Sequence, residues 1–428
     1  MFKTKSISTI LILATFLSVG FLFFPNSAQV AVLRVKNTQS GTSWLTGWTY
    51  RKKITISKTN VASDLSTFPL LVKIAEAGGG SSNIGAHSRS DGYDIRFTSS
   101  DGTTILPYER ETFSVTSSNL TANIWVKVPT ITTASNTDIY IYYTNASATT
   151  DWTAATSTLT NCTSITNAQC VWKEGASQNF AGVWHLKETG GPFSDSTSNS
   201  YNTTGGTYPS QTDAEVGKGQ SYNGSTNYVE AASNGYGKFN SQSFTISQWI
   251  KTPSSWGGTT TYRPIWSYDY TSHSSPYYAQ DIRFSSGSGG DEGKLLFGWN
   301  NGSTYQYLLS PSAIGTSSWH YITTVFTSGR QEIWDNTSIV ANNNRADTIT
   351  YYNQPVWWDR TNFVNPGSDF YQDEVRFSST ARSADWVKFE YYNMSSSTNE
   401  LTFASQEFKS SNSPFLRFLK SIIRIKLM

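Results

Sequence analysis

The chain has little charge, and hardly any cysteine, histidine or methionine. Of its 428 residues 14% are charged, two are Cys, three are Met and four are His. Typical globular proteins carry about 25% charged residues. So little charge, beside 14% aromatic residues, excludes a charge-driven disordered chain. A coiled coil or helical bundle is excluded too, since both need abundant Glu, Lys, Arg and Ala. Two Cys without nearby His make no zinc site. None of His87, His185, His273 and His320 stands in a Gly-x-Ser-x-Gly or His-Glu-x-x-His context, which leaves packed or half-buried histidines. The chain is instead rich in Ser, Thr, Asn, Gly, Tyr and Trp, the residues of strands and turns. An all-β protein of two or three domains is expected.

The formal net charge of +2 conceals an uneven distribution. Lys3 and Lys5 at one end, and Arg417, Lys420, Arg424 and Lys426 at the other, have no acidic neighbours in residues 1–31 and 411–428. Without these six, 26 basic side chains face 30 acidic ones. The body carries no basic face, so nucleic acid is not an expected partner.

Residues 1–31 read as an export signal: a basic start, an apolar run from Ile7 to Phe24, then Pro25-Asn26-Ser27-Ala28. Ala28 and Ala31 are the candidate cleavage positions, but Asn26 and Gln29 stand where a small residue is preferred. The apolar run also exceeds the usual 7–15 residues, so an uncleaved membrane anchor is the second reading. Residues 411–428 are too short to span a bilayer. As a helix they set Phe415, Leu416, Phe418, Leu419, Ile422 and Ile423 opposite Arg417, Lys420 and Arg424, which suits a membrane interface. A terminus without a role is the alternative. In an exported chain Cys162 and Cys170 read as a disulfide, with two free thiols as the alternative.

Residues 48–148 form a first unit. Ile54-Thr55-Ile56, Ile124-Trp125-Val126-Lys127-Val128 and Ile139-Tyr140-Ile141-Tyr142-Tyr143 alternate as strands. Gly78-Gly79-Gly80, Ser90-Asp91-Gly92 and Ser100-Asp101-Gly102 mark turns between them. No helical period competes, so an antiparallel β-sandwich with one buried and one wetted face per sheet is expected. Trp48 to Ile56, Asp94 to Glu109, Ile124 to Pro129 and Ile139 to Asn145, in this order, resemble the bacterial domain-of-unknown-function family 2341. That resemblance implies an exported β domain without established chemistry.

Residues 149–178 read as a Ser/Thr-rich linker holding the Cys pair. Residues 180–408 form a second unit. Its markers are Gly182-Val183-Trp184-His185-Leu186, Asp195 to Asn199, Tyr222-Asn223-Gly224, Phe244 to Ile250, Trp319-His320-Tyr321-Ile322 and Tyr371 to Phe377. In this order they resemble the laminin-G-like, concanavalin A-like jelly roll, and Ala381 to Lys388 is similar to the terminal segment of its bacterial members. The fold class is therefore all-β, two antiparallel β-sandwich domains, the second a jelly roll. Asp94-Ile95-Arg96-Phe97, Asp281-Ile282-Arg283-Phe284 and Glu374-Val375-Arg376-Phe377 share a strand pattern with apolar residues inward and Arg outward.

The jelly-roll resemblance implies a structural calcium at Asp373, with Asp195, Asn199 and Asn223 as further oxygen ligands. Strand alternation would put Asp373 and Val375 on one face. A capped turn and a surface Asp are the alternative. Trp256, Tyr262, Tyr268, Tyr270, Trp357 and Trp358 are candidate ligand platforms, because sugar rings stack apolar C–H faces on aromatic rings; sandwich core is the alternative for each. Trp357-Trp358 and Tyr277-Tyr278 are adjacent pairs, so one ring of each is expected outside the core. A glycosidase needs two carboxyls about 5–5.5 Å apart for retention. No Glu-x-Asp-x-x-Glu run supplies them, and Asp373 and Glu374 are adjacent, so no catalysis is expected. The expected function is an exported envelope or cell-surface protein binding a glycan or glycoconjugate. A structural or protein–protein module of a surface assembly is the alternative, with membrane contact through either end as a further expectation.

Overall fold

The computed structural model describes residues 43–177, 179–235, 237–252, 263–269, 278–285, 290–360, 369–395 and 400–409. The terminal segments 1–31 and 411–428, and Trp256, Tyr262, Tyr270 and Tyr277, lie outside them. No described helix is long and apolar enough to cross a membrane.

The first unit packs two antiparallel sheets. One holds three strands, in the order Leu65–Ala75, Asn119–Ile131, Tyr108–Thr116. The other is built on Tyr50–Ile56, Thr137–Tyr143, Arg96–Ser99 and Ile105–Leu106. The expected alternation holds: Ile54, Ile56, Ile124, Val126, Val128, Ile139 and Ile141 are buried in one cluster. The expectation of a wetted face fails for the three-stranded sheet. Trp125 on its far side is also buried, in the same cluster as Trp172, Trp249, Tyr321, Trp386 and Phe389 from later in the chain. A sheet covered on both faces no longer shows a clean apolar–polar alternation.

Two parts of the chain depart from their sequence assignment. Residues 149–178, read as a linker, complete this core: Val171 and Trp172 are fully buried, and Cys162 and Cys170 form the expected disulfide. Residues 401–408, read as the end of the jelly roll, return to the first sheet. Leu401–Phe403 and Glu407–Phe408 both pair with Tyr50–Ile56, with Ile54 opposite Phe403 and Tyr50 opposite Phe408. The Arg51 guanidinium, fully buried, holds Glu407 at 2.8 Å. The jelly roll is thus inserted into the first sandwich.

The second unit is a sandwich of an eight-stranded and a seven-stranded antiparallel sheet. The first includes Phe180–Trp184, Tyr371–Ser378, Ser243–Lys251, Trp319–Thr327, Arg330–Asp335 and Ser338–Asn343. The second includes Tyr305–Ala313, Lys294–Asn300, Tyr278–Phe284, Arg263–Asp269, Val356–Trp358 and Tyr228–Ala232. Phe244, Ile246, Val375, Phe377, Trp266, Phe297 and Trp358 fill the space between them. Helix Ala384–Met394 follows, its N-terminus capped by the Ser383 hydroxyl accepting from the Trp386 amide. Trp386 and Phe389 on this helix meet Phe68 of the three-stranded sheet.

A β-bulge interrupts Tyr371–Ser378. Arg376 pairs with Ser247 and Asp373 with Trp249, so Glu374 and Val375 together oppose Gln248, and Glu374 has φ of 51°. A bulge inserts one residue and re-aims those beyond it. Val375 stays in the jelly-roll core, while Asp373 shares the side of Trp249, which packs in the other core. The expectation that Asp373 and Val375 share a face is corrected by this one residue.

Candidate functional site

The described aromatic candidates are mostly core. Tyr268 is fully buried and donates its hydroxyl to the Tyr352 carbonyl at 2.8 Å. Trp358 is fully buried against Trp184, with ring centroids 5.3 Å apart. Trp357 points to the outer side of its sheet, as expected of an adjacent pair, but is largely covered, lying against Tyr228 and the Arg360 guanidinium.

A different platform stands on the outer face of the seven-stranded sheet. On Tyr278–Phe284, Ile282 points into the core while Asp281 and Arg283 point out. Their side chains pair at 3.1 Å, and the Tyr305 hydroxyl donates to Asp281 at 2.7 Å. Arg283 lies over Tyr278 and Tyr305, 5.2 and 5.6 Å from the ring centroids. Tyr307, two residues along the edge strand, stacks beside Tyr305 at 6.1 Å and is 55% exposed. Gly298 makes this meeting possible, since a Cβ there would lie 1.8 Å from the Tyr305 hydroxyl oxygen. Burial pushes the Asp281 carboxyl up, against the opposing pull of Arg283. The arrangement offers a free aromatic face next to a carboxylate–guanidinium pair. The sequence signal was present: Asp281/Arg283 and Tyr305/Tyr307 are both spaced by two, which puts each pair on one face.

Each calcium candidate has hydrogen-bond partners within the chain. The Asp195 carboxylate accepts from the amides of Val183, Thr197 and Tyr201 and from the Thr197 hydroxyl. Asn199 donates to the Ala181 carbonyl. Asn223 is exposed, and its oxygen caps the amides of Ser225, Thr226 and Asn227. These are turn-capping roles, the alternative reading. Asp373 is fully buried, accepts from the Val216 amide at 2.8 Å, and faces the first unit.

Among the described residues, the group of three or more acidic or histidine side chains within reach of one ion is Glu111, His185 and Glu374, all buried. Two bulges aim its acids. Glu374 sits in the bulge described above, and Glu111 is left without a partner between Arg110–Ile124 and Thr112–Asn123. His185 Nδ1 and Glu374 Oε1 are 2.6 Å apart, a hydrogen-bond length that leaves no room for an ion between them. The imidazole is stacked on Trp125 and lies by Trp172, both centroids at 5.7 Å, which favours a cationic ring. Burial opposes that charge, but Glu374 and Glu109 outweigh it and hold the His185 pKa well above the usual imidazole range. Glu374 also pairs with Arg376 at 2.8 Å, and Arg376 with Glu390 at 3.1 Å. A cleft of about 310 Å³, lined by Glu109, Gln169, His185, Lys187, Glu188 and Ser196, reaches the Glu109 side of this cluster. Sequence reading missed it because its members come from separate strands of both units.

With both sheets in view, the chain is a β-sandwich protein with a concanavalin A-like domain. Residues 223–388 match the concanavalin A-like lectin/glucanases superfamily, and residues 91–173 match the domain of unknown function DUF2341. The latter match runs through Trp172, in keeping with its place in the first core. No curated protein matches the chain. Similar solved structures include domain 4 of AbnA, an extracellular arabinanase from Geobacillus stearothermophilus, in complex with arabinotriose. It is 18% identical over 49% of this chain and 97% of that one, with a TM-score of 0.38. The botulinum neurotoxin type G receptor binding domain is 14% identical over 50% of this chain and 51% of that one, also at 0.38. At these scores the likeness carries no conclusion about a ligand.

Proposed function

We propose that this is an exported surface protein that binds a glycan through the outer face of its seven-stranded sheet. The observation behind the reading is Tyr307, 55% exposed, beside the Asp281–Arg283 pair. An exposed ring offers a stacking surface, and the buried Asp281–Arg283 pair holds Tyr305, on which that ring stacks. The Cys162–Cys170 disulfide supports export. The test is a glycan array probed with the full chain, in calcium and in chelator, beside Tyr307→Ala. The expected result is one bound glycan class, with affinity reduced at least tenfold in the variant and melting unchanged. No bound glycan, or equal binding by the variant, refutes this reading.

A protein–protein module is the second reading. It is supported by the terminal strand of the eight-stranded sheet, Ser338–Asn343, on which Ile339 is 44% exposed.

A further inference from the structure

The interface between the three-stranded sheet and the jelly roll buries a group of acids. Glu109 and Glu111 come from Tyr108–Thr116, Asp373 and Glu374 from Tyr371–Ser378, and Glu390 from the helix. All but Glu109 are at most 5% exposed. Two cations pair with them directly. His185 and Arg376 are buried among them. Lys73, from Leu65–Ala75, is half-buried, and its ammonium binds the Glu215 and Met394 carbonyls. Lys187 is half-buried and donates to the Glu111 carbonyl. Lys127 on Asn119–Ile131 reaches the Lys173 carbonyl, near Glu174, which pairs with Arg382. Tyr321 donates its hydroxyl to Glu390 at 3.1 Å. Glu111 Oε1 and Asp373 Oδ1 have no hydrogen-bond partner, while Glu111 Oε2 accepts from Trp125 Nε1 at 2.9 Å and His185 Nε2 lies 3.5 Å from Glu109 Oε2.

We propose that this interface is a proton-held clamp, closed while Glu111, Asp373 and His185 carry protons and loosened as they lose them. A buried carboxylate oxygen left without a partner is costly while the group is charged, and protonation relieves that cost. Burial pushes Glu111 up to about 7, against His185 and with the help of Glu374. Burial, then Glu374, pushes Asp373 well above the usual carboxylate range. The sign follows from linkage. A group with a raised pKa in the closed state stabilises it fully below the open-state pKa, and that contribution is lost as pH rises through the closed-state pKa. For Glu111 the window runs from 4.5 to about 7. His185 extends it upward from 6.5. Glu109 and Glu374, both lowered, oppose this only on the acid side. Each closed-state proton makes the opening constant rise about tenfold per pH unit within its window.

The test is amide hydrogen exchange on the full chain at pH 5.5 and pH 8, expressed as protection factors so that intrinsic rates cancel. Protection in strands 108–116, 119–131 and 371–378 is expected to fall at least tenfold, while strand 294–300 in the seven-stranded sheet stays within twofold. In Glu111→Gln, which keeps the shape and cannot ionise, the fall is expected to be smaller. Equal protection at both pH values in the native chain overturns the clamp, even if the variant fails to fold. So does a uniform fall through both sheets, or an undiminished fall in the folded variant.

Discussion

Replacing Arg376 with methionine removes one cation from the middle of the molecule and keeps most of its volume. The guanidinium is 1% exposed. It pairs with Glu374 at 2.8 Å and Glu390 at 3.1 Å, and lies 4.4 Å from the Trp125 ring centroid. Both carboxylates are at most 3% exposed, so neither can turn to water when the cation goes. Breaking a buried pair from one side costs about 3–5 kcal/mol; here Glu374 keeps His185, and Glu390 is the acid that loses its paired cation. The lost stacking on Trp125 adds up to about 2 kcal/mol where desolvated, not additively. We expect Arg376→Met to lose about 3–5 kcal/mol at neutral pH. Arg376→Lys should recover only part of this, because an ammonium cannot fork to two carboxylates and stack at once. Urea denaturation of the full chain, followed by far-ultraviolet circular dichroism, measures it. An exposed pair gives the control: Lys218→Met, opposite Asp213, should cost far less, since water already solvates both charges. An Arg376→Met loss no larger than the control's would refute the reasoning that this interface depends on compensated buried charge.

Two further outcomes concern the chain's ends and its disulfide. Reduction of Cys162–Cys170, whose partners are eight residues apart, should cost about 2–3 kcal/mol in the chain-entropy account; identical denaturation with and without reductant would contradict it. A chain ending at residue 399 loses both strands paired with Tyr50–Ile56 and the Arg51–Glu407 contact. It should melt lower and self-associate through the exposed edge; a monomer melting like the full chain would show that the returning strands are dispensable.

The alternation of Ile124-Trp125-Val126-Lys127-Val128 and the turn residues between such runs were enough to read strands and the all-β class. Spacing by two also placed Arg283 outward and Ile282 inward, and eight-residue spacing in a chain read as exported suggested the disulfide. These are local properties, carried by a few neighbouring residues and the two-residue period of a strand. Other features depend on what meets each face. Trp125 and Trp358 follow the same alternation as any strand aromatic, yet one lies between units and the other inside a sandwich, while Tyr307 remains in solvent. The pairing of residues 401–408 with Tyr50–Ile56 joins segments some 350 residues apart, a distance at which no local pattern carries information. The bulges at Glu111 and Glu374 each shift register by one residue, and with a period of two that is enough to turn a side chain from one face to the other. The jelly-roll resemblance made Asp373 a calcium candidate, and only the packed sheets placed it in the charged interface between the two sandwiches.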